Sequence, residues 1–173
     1  MRAKISVAVL IGIVCLSLNW QTIGQGSPRF VLMNNNDNYS YYLDTETVRY
    51  IPDPYRDEKL IDAWIKVVPT ENGRQVEIRK RQNDKLNTYG YEDFNYSMRR
   101  YNFRLNQRQM QRVYLRDFSS NGAVLDTQSD VYDAARWEDI IPDSSGEVWY
   151  KAALKRFEKK DSVIEGSGKW IND

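Results

Sequence analysis

Four arginines and one tyrosine have the types and spacing for recognition chemistry. Arg100 and Arg104 lie four apart, and so do Arg112 and Arg116, with Tyr114 midway between the second pair. Side chains alternate between the faces of a strand, so residues two or four apart share a face. Two adjacent antiparallel strands carrying these pairs would assemble a guanidinium array with an aromatic ring at its centre. The planar donor fork of a guanidinium matches carboxylate, sulfate and phosphate oxygens. Such an array suits an acidic glycan, an anionic lipid headgroup or an acidic protein surface. Arginines on a sheet face also serve simply to keep that face solvated and its edges from aggregating. The surrounding segment has the same bias: from Arg74 to Arg116 there are 11 Lys and Arg residues against Glu77, Asp84, Glu92 and Asp93.

The rest of the inventory offers little for catalysis. There is no histidine and a single cysteine, Cys15, so the usual general base, thiolate nucleophile and soft metal ligands are missing. Carboxylates remain, with Asp44, Glu46, Asp62, Glu138 and Asp139 as candidates for a hydrolase. Glycoside hydrolysis needs two carboxyls facing each other across roughly 5 to 9.5 Å, and no spacing here pairs them. Asp44 reads as a turn or cap residue, and Glu138 with Asp139 as the acidic first turn of a helix. The cluster Asn34 to Asn38 lacks the alternating acidic order of a calcium loop. The expectation is a non-catalytic protein with no metal or cofactor.

Aromatic groups are the other candidates. Tyr39, Tyr41 and Tyr42, and separately Tyr89, Tyr91 and Tyr96, offer stacking surface. Strand alternation places Tyr42 opposite Tyr39 and Tyr41. Trp137, Ile140 and Ile141, just before Pro142, offer an exposed recognition loop or, as the favoured reading, a plug where the sheet hands over to a helix.

These residues need a scaffold, and the pattern supplies one. Phe30 to Met33 and Tyr39 to Asp44 flank the turn-forming Asn34 to Asn38, which predicts a hairpin. Ile51 to Asp57, with two prolines, reads as a loop. In Leu60 to Val68 the residues Ile61, Ala63, Ile65 and Val67 alternate as one buried face. Val76 and Ile78 favour a further strand over Arg74 to Lys80, with a short helix from Gln75 to Leu86 as the alternative. Asn87 to Phe94 reads as a tyrosine-rich loop. Ser97 to Leu105, Met110 to Phe118 and Ala123 to Asp126 follow as strands, the last two joined at Asn121-Gly122 by a turn of type I′. Ser144 and Glu147 form a capping box, behind which Trp149, Ala153 and Phe157 mark the apolar stripe of a helix. The expected fold is α+β: an antiparallel meander of about five to six strands with one C-terminal amphipathic helix packed on one face.

Arg2 and Lys4 precede an apolar run from Ile5 to Leu18, too short to span a bilayer and typical of a secretory leader. Residues 1–26 are read as leader and linker, 27–158 as one domain and 159–173 as a polar flexible tail. Export to the periplasm, cell surface or medium is the expectation, with membrane contact only through the leader if it is uncleaved. Without Arg2 and Lys4, 23 basic residues stand against 24 acidic ones, a net charge of −1. That balance gives no general pull toward nucleic acid.

The run Tyr114 to Leu125, with Asn121-Gly122-Ala123-Val124-Leu125, followed by Trp137-Glu-Asp-Ile-Ile-Pro-Asp-Ser144, resembles the C-terminal signature of the surface-adhesin protein E family of Gram-negative bacteria. Tyr42-Leu-Asp44 and Trp64-Ile-Lys66 are similar to that family's first strands. The resemblance implies an α+β domain in the bacterial envelope or at the cell surface, acting as an adhesin-like binding module. The partners it implies are host matrix proteins such as vitronectin and laminin, and plasminogen. The arginine array itself adds an acidic glycan, and the alternative function is a periplasmic structural or accessory protein that partners another envelope protein. The family's adhesin is a lipoprotein whose final helix is tied by a disulfide; this chain has neither a cysteine pair nor a small residue before Cys15. Its last helix would be held by packing alone.

Overall fold

A computed structural model describes residues 28–54, 56–129 and 136–166, with side chains in the last helix described as far as residue 159. The leader, its linker and Cys15 lie outside the described residues.

Alternation builds the centre of the sheet. In β4 (Lys59–Pro69) Ile61, Ala63, Ile65 and Val67 are fully buried, as the pattern requires. On one side β4 pairs with β2 (Tyr39–Asp44) and, beyond a gap, with β3 (Arg49–Pro52). Thr47 bridges that gap: its hydroxyl accepts from the Trp64 amide at 3.1 Å, so the buried donor keeps a partner. β1 (Phe30–Asn35) closes the opening hairpin onto β2. In its turn, Asn36 Oδ1 accepts from the amides of Asn38 and Tyr39 at 2.9 and 2.8 Å.

On the other side of β4 follow β5 (Phe94–Arg104), β6 (Gln109–Ser119) and β7 (Val124–Ser129), giving the antiparallel order β1-β2-β4-β5-β6-β7. The turn between β6 and β7 is not type I′. Only Gly122 takes a positive φ there, 84°, and Asn121 instead uses its side chain, whose Oδ1 accepts from the Ala123 amide at 3.0 Å. β8 (Glu138–Asp139) pairs with Met110 and Gln109 of β6. These two acidic residues were expected to start a helix. Instead the Ile140 amide bonds to Arg108 O at 2.8 Å, turning the Ile140 side chain into the core. The expected loop at Ile51 is likewise shortened, because Ile51 and Pro52 end β3.

A second helix replaces the expected strand at Arg74 to Lys80. α1 (Glu71–Asn83) starts where the Thr70 side chain accepts from the Gly73 amide at 3.1 Å. Thr70 Oγ1 also donates to Asp37 O at 2.8 Å, so the β1–β2 turn holds the helix start. The approach is close: a Cβ on Gly73 would lie 2.0 Å from Asn38 O. One buried polar cluster anchors the far end. Arg81 donates to Asn87 O at 2.7 Å and to Asp126 at 3.0 Å, over the ring of Tyr91. The Tyr91 hydroxyl donates to Asp117 at 2.6 Å, and Ser97 donates to the other oxygen of that carboxylate. Burial first, and then this bond to Asp117, raises the Tyr91 pKa. Tyr91 is thus core, in a 3-10 turn (Tyr91–Asp93) where a loop was expected.

α2 (Ser145–Gly166) packs on the same face as α1, and its backbone continues beyond Lys159, where the sequence suggested a tail. Ser144 Oγ accepts from the Glu147 amide at 3.3 Å, the first half of the capping box. The second half is displaced by one residue: the Glu147 carboxylate takes the Asp143 amide at 3.0 Å, together with Arg108 at 2.5 Å and Lys151 at 3.2 Å. These bonds hold the Glu147 carboxyl down at about 2. Trp149 and Ala153 enter the core with Tyr41, Leu43, Tyr101 and Phe103, and the Trp149 ring lies 5.0 Å from that of Tyr41 and 5.4 Å from that of Tyr101. Phe157 completes the stripe against Tyr50 at 3.9 Å.

Candidate functional site: the open sheet face

Both described helices cover the face of the sheet that carries Ile65, Tyr101 and Phe103. The opposite face carries Trp64 and Lys66 of β4, Met98 and Arg100 of β5, and Tyr114 and Arg116 of β6. The register sets Trp64, Arg100 and Tyr114 in one row across the strands, and Lys66, Met98 and Arg116 in the next. A shallow cleft of about 500 Å³ lies over these rows, lined also by Arg29, Asp44 and Phe118.

Arg100 lines the cleft. Its guanidinium makes 2.6 and 3.1 Å bonds to the buried Asp62, which also accepts from Arg49 at 3.0 Å. Above it Trp64 and Tyr114 lean together with ring centroids 5.4 Å apart. At the rim Arg29 makes a two-toothed contact with the buried Asp44, its shortest bond 2.8 Å. Both carboxylates under this face are therefore neutralised by arginines, as charge burial demands. Two cations are left over. Lys66 lies between aromatic rings, 4.4 Å from the Tyr96 centroid and 5.2 Å from that of Phe30. Arg116 lies 5.4 Å from the Tyr114 centroid, and its buried Nε has no hydrogen-bond partner. Neither Lys66 nor Arg116 meets a carboxylate among the described residues. The face thus offers two aromatic rings set edge to face, flanked by cations that have no carboxylate partner among the described residues, a combination suited to anionic groups.

The five residues singled out by spacing divide into three groups. Arg100, Tyr114 and Arg116 meet on the open face. Arg112 does not join them: the β5–β6 register shifts between Arg100 and Tyr101, so Arg112 opposes Tyr101 on the covered face. Val113 is the extra residue, and a bulge of this kind reverses the facing of everything beyond it. Arg112 there lines a separate cavity of about 580 Å³ with Tyr101, Met110, Trp137 and Trp149. Arg104 shares the strand face of Arg100 but is buried, 4% exposed, with 3.2 and 3.0 Å bonds to Asp53 and its guanidinium 4.0 Å from the Trp137 centroid. The loop holding Asp53 closes this end of the face, so Arg104 is structural rather than displayed. Trp137 accordingly packs, as does Ile140, whereas Ile141 is 66% exposed.

Trp64, Lys66, Tyr96 and Phe118 are site residues that the spacing argument passed over. Lys66 and Trp64 stand at the alternate positions of β4, the complement of its buried face, and could have been found there. Tyr96 stacks on Phe118 with centroids 4.7 Å apart. The other tyrosines scatter: Tyr41 is core, Tyr89 is 86% exposed, and Tyr42 reaches the open face beside Lys66. No helix among the described residues is long and apolar enough to cross a membrane.

Known proteins add no further constraint. No protein family, curated protein or solved structure matches the chain.

Proposed function

We propose that this protein is a non-catalytic binding module, exported and associated with a bacterial envelope, that contacts an anionic partner through its open sheet face. The observation carrying this reading is the Trp64–Tyr114 pair, flanked by Lys66 and Arg116, which meet no carboxylate among the described residues. Partners of fitting chemistry are an acidic glycan or the acidic surface of a host matrix or envelope protein. The resemblance to surface-adhesin E proteins and the leader-like N-terminus support the same reading, and both belong to the proposal.

Retention on heparin tests it, because contacts made by exposed charges weaken with added salt. Charge reversal at Lys66 and Arg116 is expected to move elution to clearly lower salt. Reversal at Arg112, on the other face, is expected to leave it in place. Elution that is unchanged by Lys66→Glu and Arg116→Glu, or that moves only with Arg112→Glu, would overturn the assignment. Arg104 is unsuitable for this comparison, since its buried pair with Asp53 ties it to folding.

A further inference from the structure

A second surface lies at the edge of the sheet. β1 ends the strand order and pairs only with β2 among the described residues. Proteins usually protect such an edge with charges, proline or a covering segment, because its unpaired backbone groups accept another strand. β1 reads Phe-Val-Leu-Met-Asn-Asn, without charge or proline, no strand among the described residues pairs with its outer edge, and Val31 and Leu32 are 39% and 52% exposed. Beside this edge runs a groove of about 360 Å³, lined by Val31, Leu32, Val148, Ala152, Lys155 and Arg156.

The groove is polarised along its length. Asn34 Nδ2 donates to Ser145 Oγ at 3.0 Å, so the end of β1 meets the start of α2. Arg156 donates to Thr45 O at 3.2 Å, and the Thr45 amide bonds to Arg29 O at 2.8 Å, so the start of β1 lies near the later turns of α2. From Asn34 toward Phe30, the neighbouring helix therefore changes from Val148 and Ala152 to Lys155, Arg156 and Lys159. Of the carboxylates nearby, Glu147 is engaged with Arg108 and Lys151, and Asp44 and Glu46 with Arg29. Lys155 is exposed and has no ion-pair partner among the described residues.

We infer that the free edge of β1 and this groove bind an extended segment of a partner polypeptide as an added antiparallel strand, with apolar residues leading and acidic residues following on the side facing α2. Strand addition supplies backbone bonds that are blind to sequence, and alternate side chains supply the selectivity. Running antiparallel to β1, the added strand enters at the Asn34 end. Its apolar residues meet Val31 and Val148, and its later carboxylates reach Lys155. The sequence of β1 also decides between occupants: a second copy joined through β1 would bring Phe-Val-Leu-Met-Asn-Asn, with no carboxylate in the strand to meet Lys155.

The probe is a fluorescein-labelled peptide, Thr-Val-Thr-Val-Thr-Glu-Thr-Glu, titrated into the full chain and followed by fluorescence anisotropy. Saturable binding is expected, weaker by roughly tenfold or more when lysines replace the two glutamates, when Lys155→Glu is made, or when Val31→Lys guards the edge. Both substitutions fall on exposed or partly exposed positions, and circular dichroism verifies the fold of each variant. Bound peptide should also slow hydrogen exchange at amides of β1. The inference is overturned by absent binding, by equal binding of the glutamate and lysine peptides, or by affinity indifferent to Val31→Lys. Self-association of the free protein that Val31→Lys abolishes would overturn it too, by giving the edge to a second copy.

Discussion

Trp149 and Trp64 occupy opposite faces of one sheet and serve opposite ends. Trp149 is enclosed between Tyr41 and Tyr101, with its indole N–H donating to Asn34 at 3.0 Å. Trp64 meets Tyr114 edge to face and is only partly buried. The buried acids repeat the contrast. Asp117, on the covered face, is satisfied by the buried Tyr91, Ser97 and Arg81, which tie α1 to the sheet. Asp62, under the open face, is satisfied by Arg100 and Arg49, whose side chains remain 32% and 62% exposed. Similar residue types stabilise the fold when both partners are buried, and build a receptive surface when one partner stays wet.

The difference can be broken in order of size. Trp149→Ala should cost about 3–5 kcal/mol in urea unfolding and loosen α2, whereas Trp64→Ala should cost less than about 2, since less apolar area leaves contact. Equal losses would erase the distinction between the faces. Asp117→Ala should cost about 3 kcal/mol by stranding Arg81 and the Tyr91 hydroxyl, and Asp62→Ala about 1–2, because its arginines can turn to water. Gly73→Ala should destabilise by about 1–3 kcal/mol, since the new methyl meets a backbone oxygen that cannot yield without moving the β1–β2 turn.

Glu147 sharpens the covered side through pH. Its folded-state pKa of about 2 lies below the ordinary 4.5, so its contribution is fully present above 4.5 and is lost as pH falls toward 2. The melting temperature of the protein should exceed that of Glu147→Gln at neutral pH, and the gap should close by pH 2. A gap that persists there would remove the Asp143–Arg108–Lys151 cradle as its cause. The smallest stability effect is expected from Lys66→Ala, about 1 kcal/mol or less, paired with a clear loss of heparin retention. The reverse pattern would make Lys66 a structural residue.

Legibility in the sequence followed from how local the determining contacts are. β4, β5, β6 and α2 announce themselves through period-two or period-3.6 patterns and a cap within four residues. α1 does not: it buries Gly73 and Arg81 rather than an apolar stripe, and Val76 and Ile78, two apart, mimic a strand. Its stop is hidden as well, because Lys85 takes the left-handed φ of 55° that glycine usually marks. In the site, Arg100, Tyr114 and Arg116 obeyed simple alternation. Arg104 was misplaced because its partner, Asp53, is 51 residues away and comes from a loop. Arg112 was misplaced because a backbone irregularity leaves no side-chain signature.

That irregularity gives β6 two reading frames. Upstream of Val113 the odd and even positions address one pair of surroundings, and downstream the opposite pair, so the boundary between frames decides which arginines a ligand can meet. A one-residue deletion at Val113 would remove the extra residue and leave both halves in their present registers, with Arg112 still opposite Tyr101 on the covered face. Pairing the same residues without the bulge, with the downstream half held in place by β7, would instead carry Arg112 to the open face without any change in the chain's charge. Electrostatic character on this sheet is thus set by where the extra residue sits as well as by substitution, while every arginine stays where it is in the text.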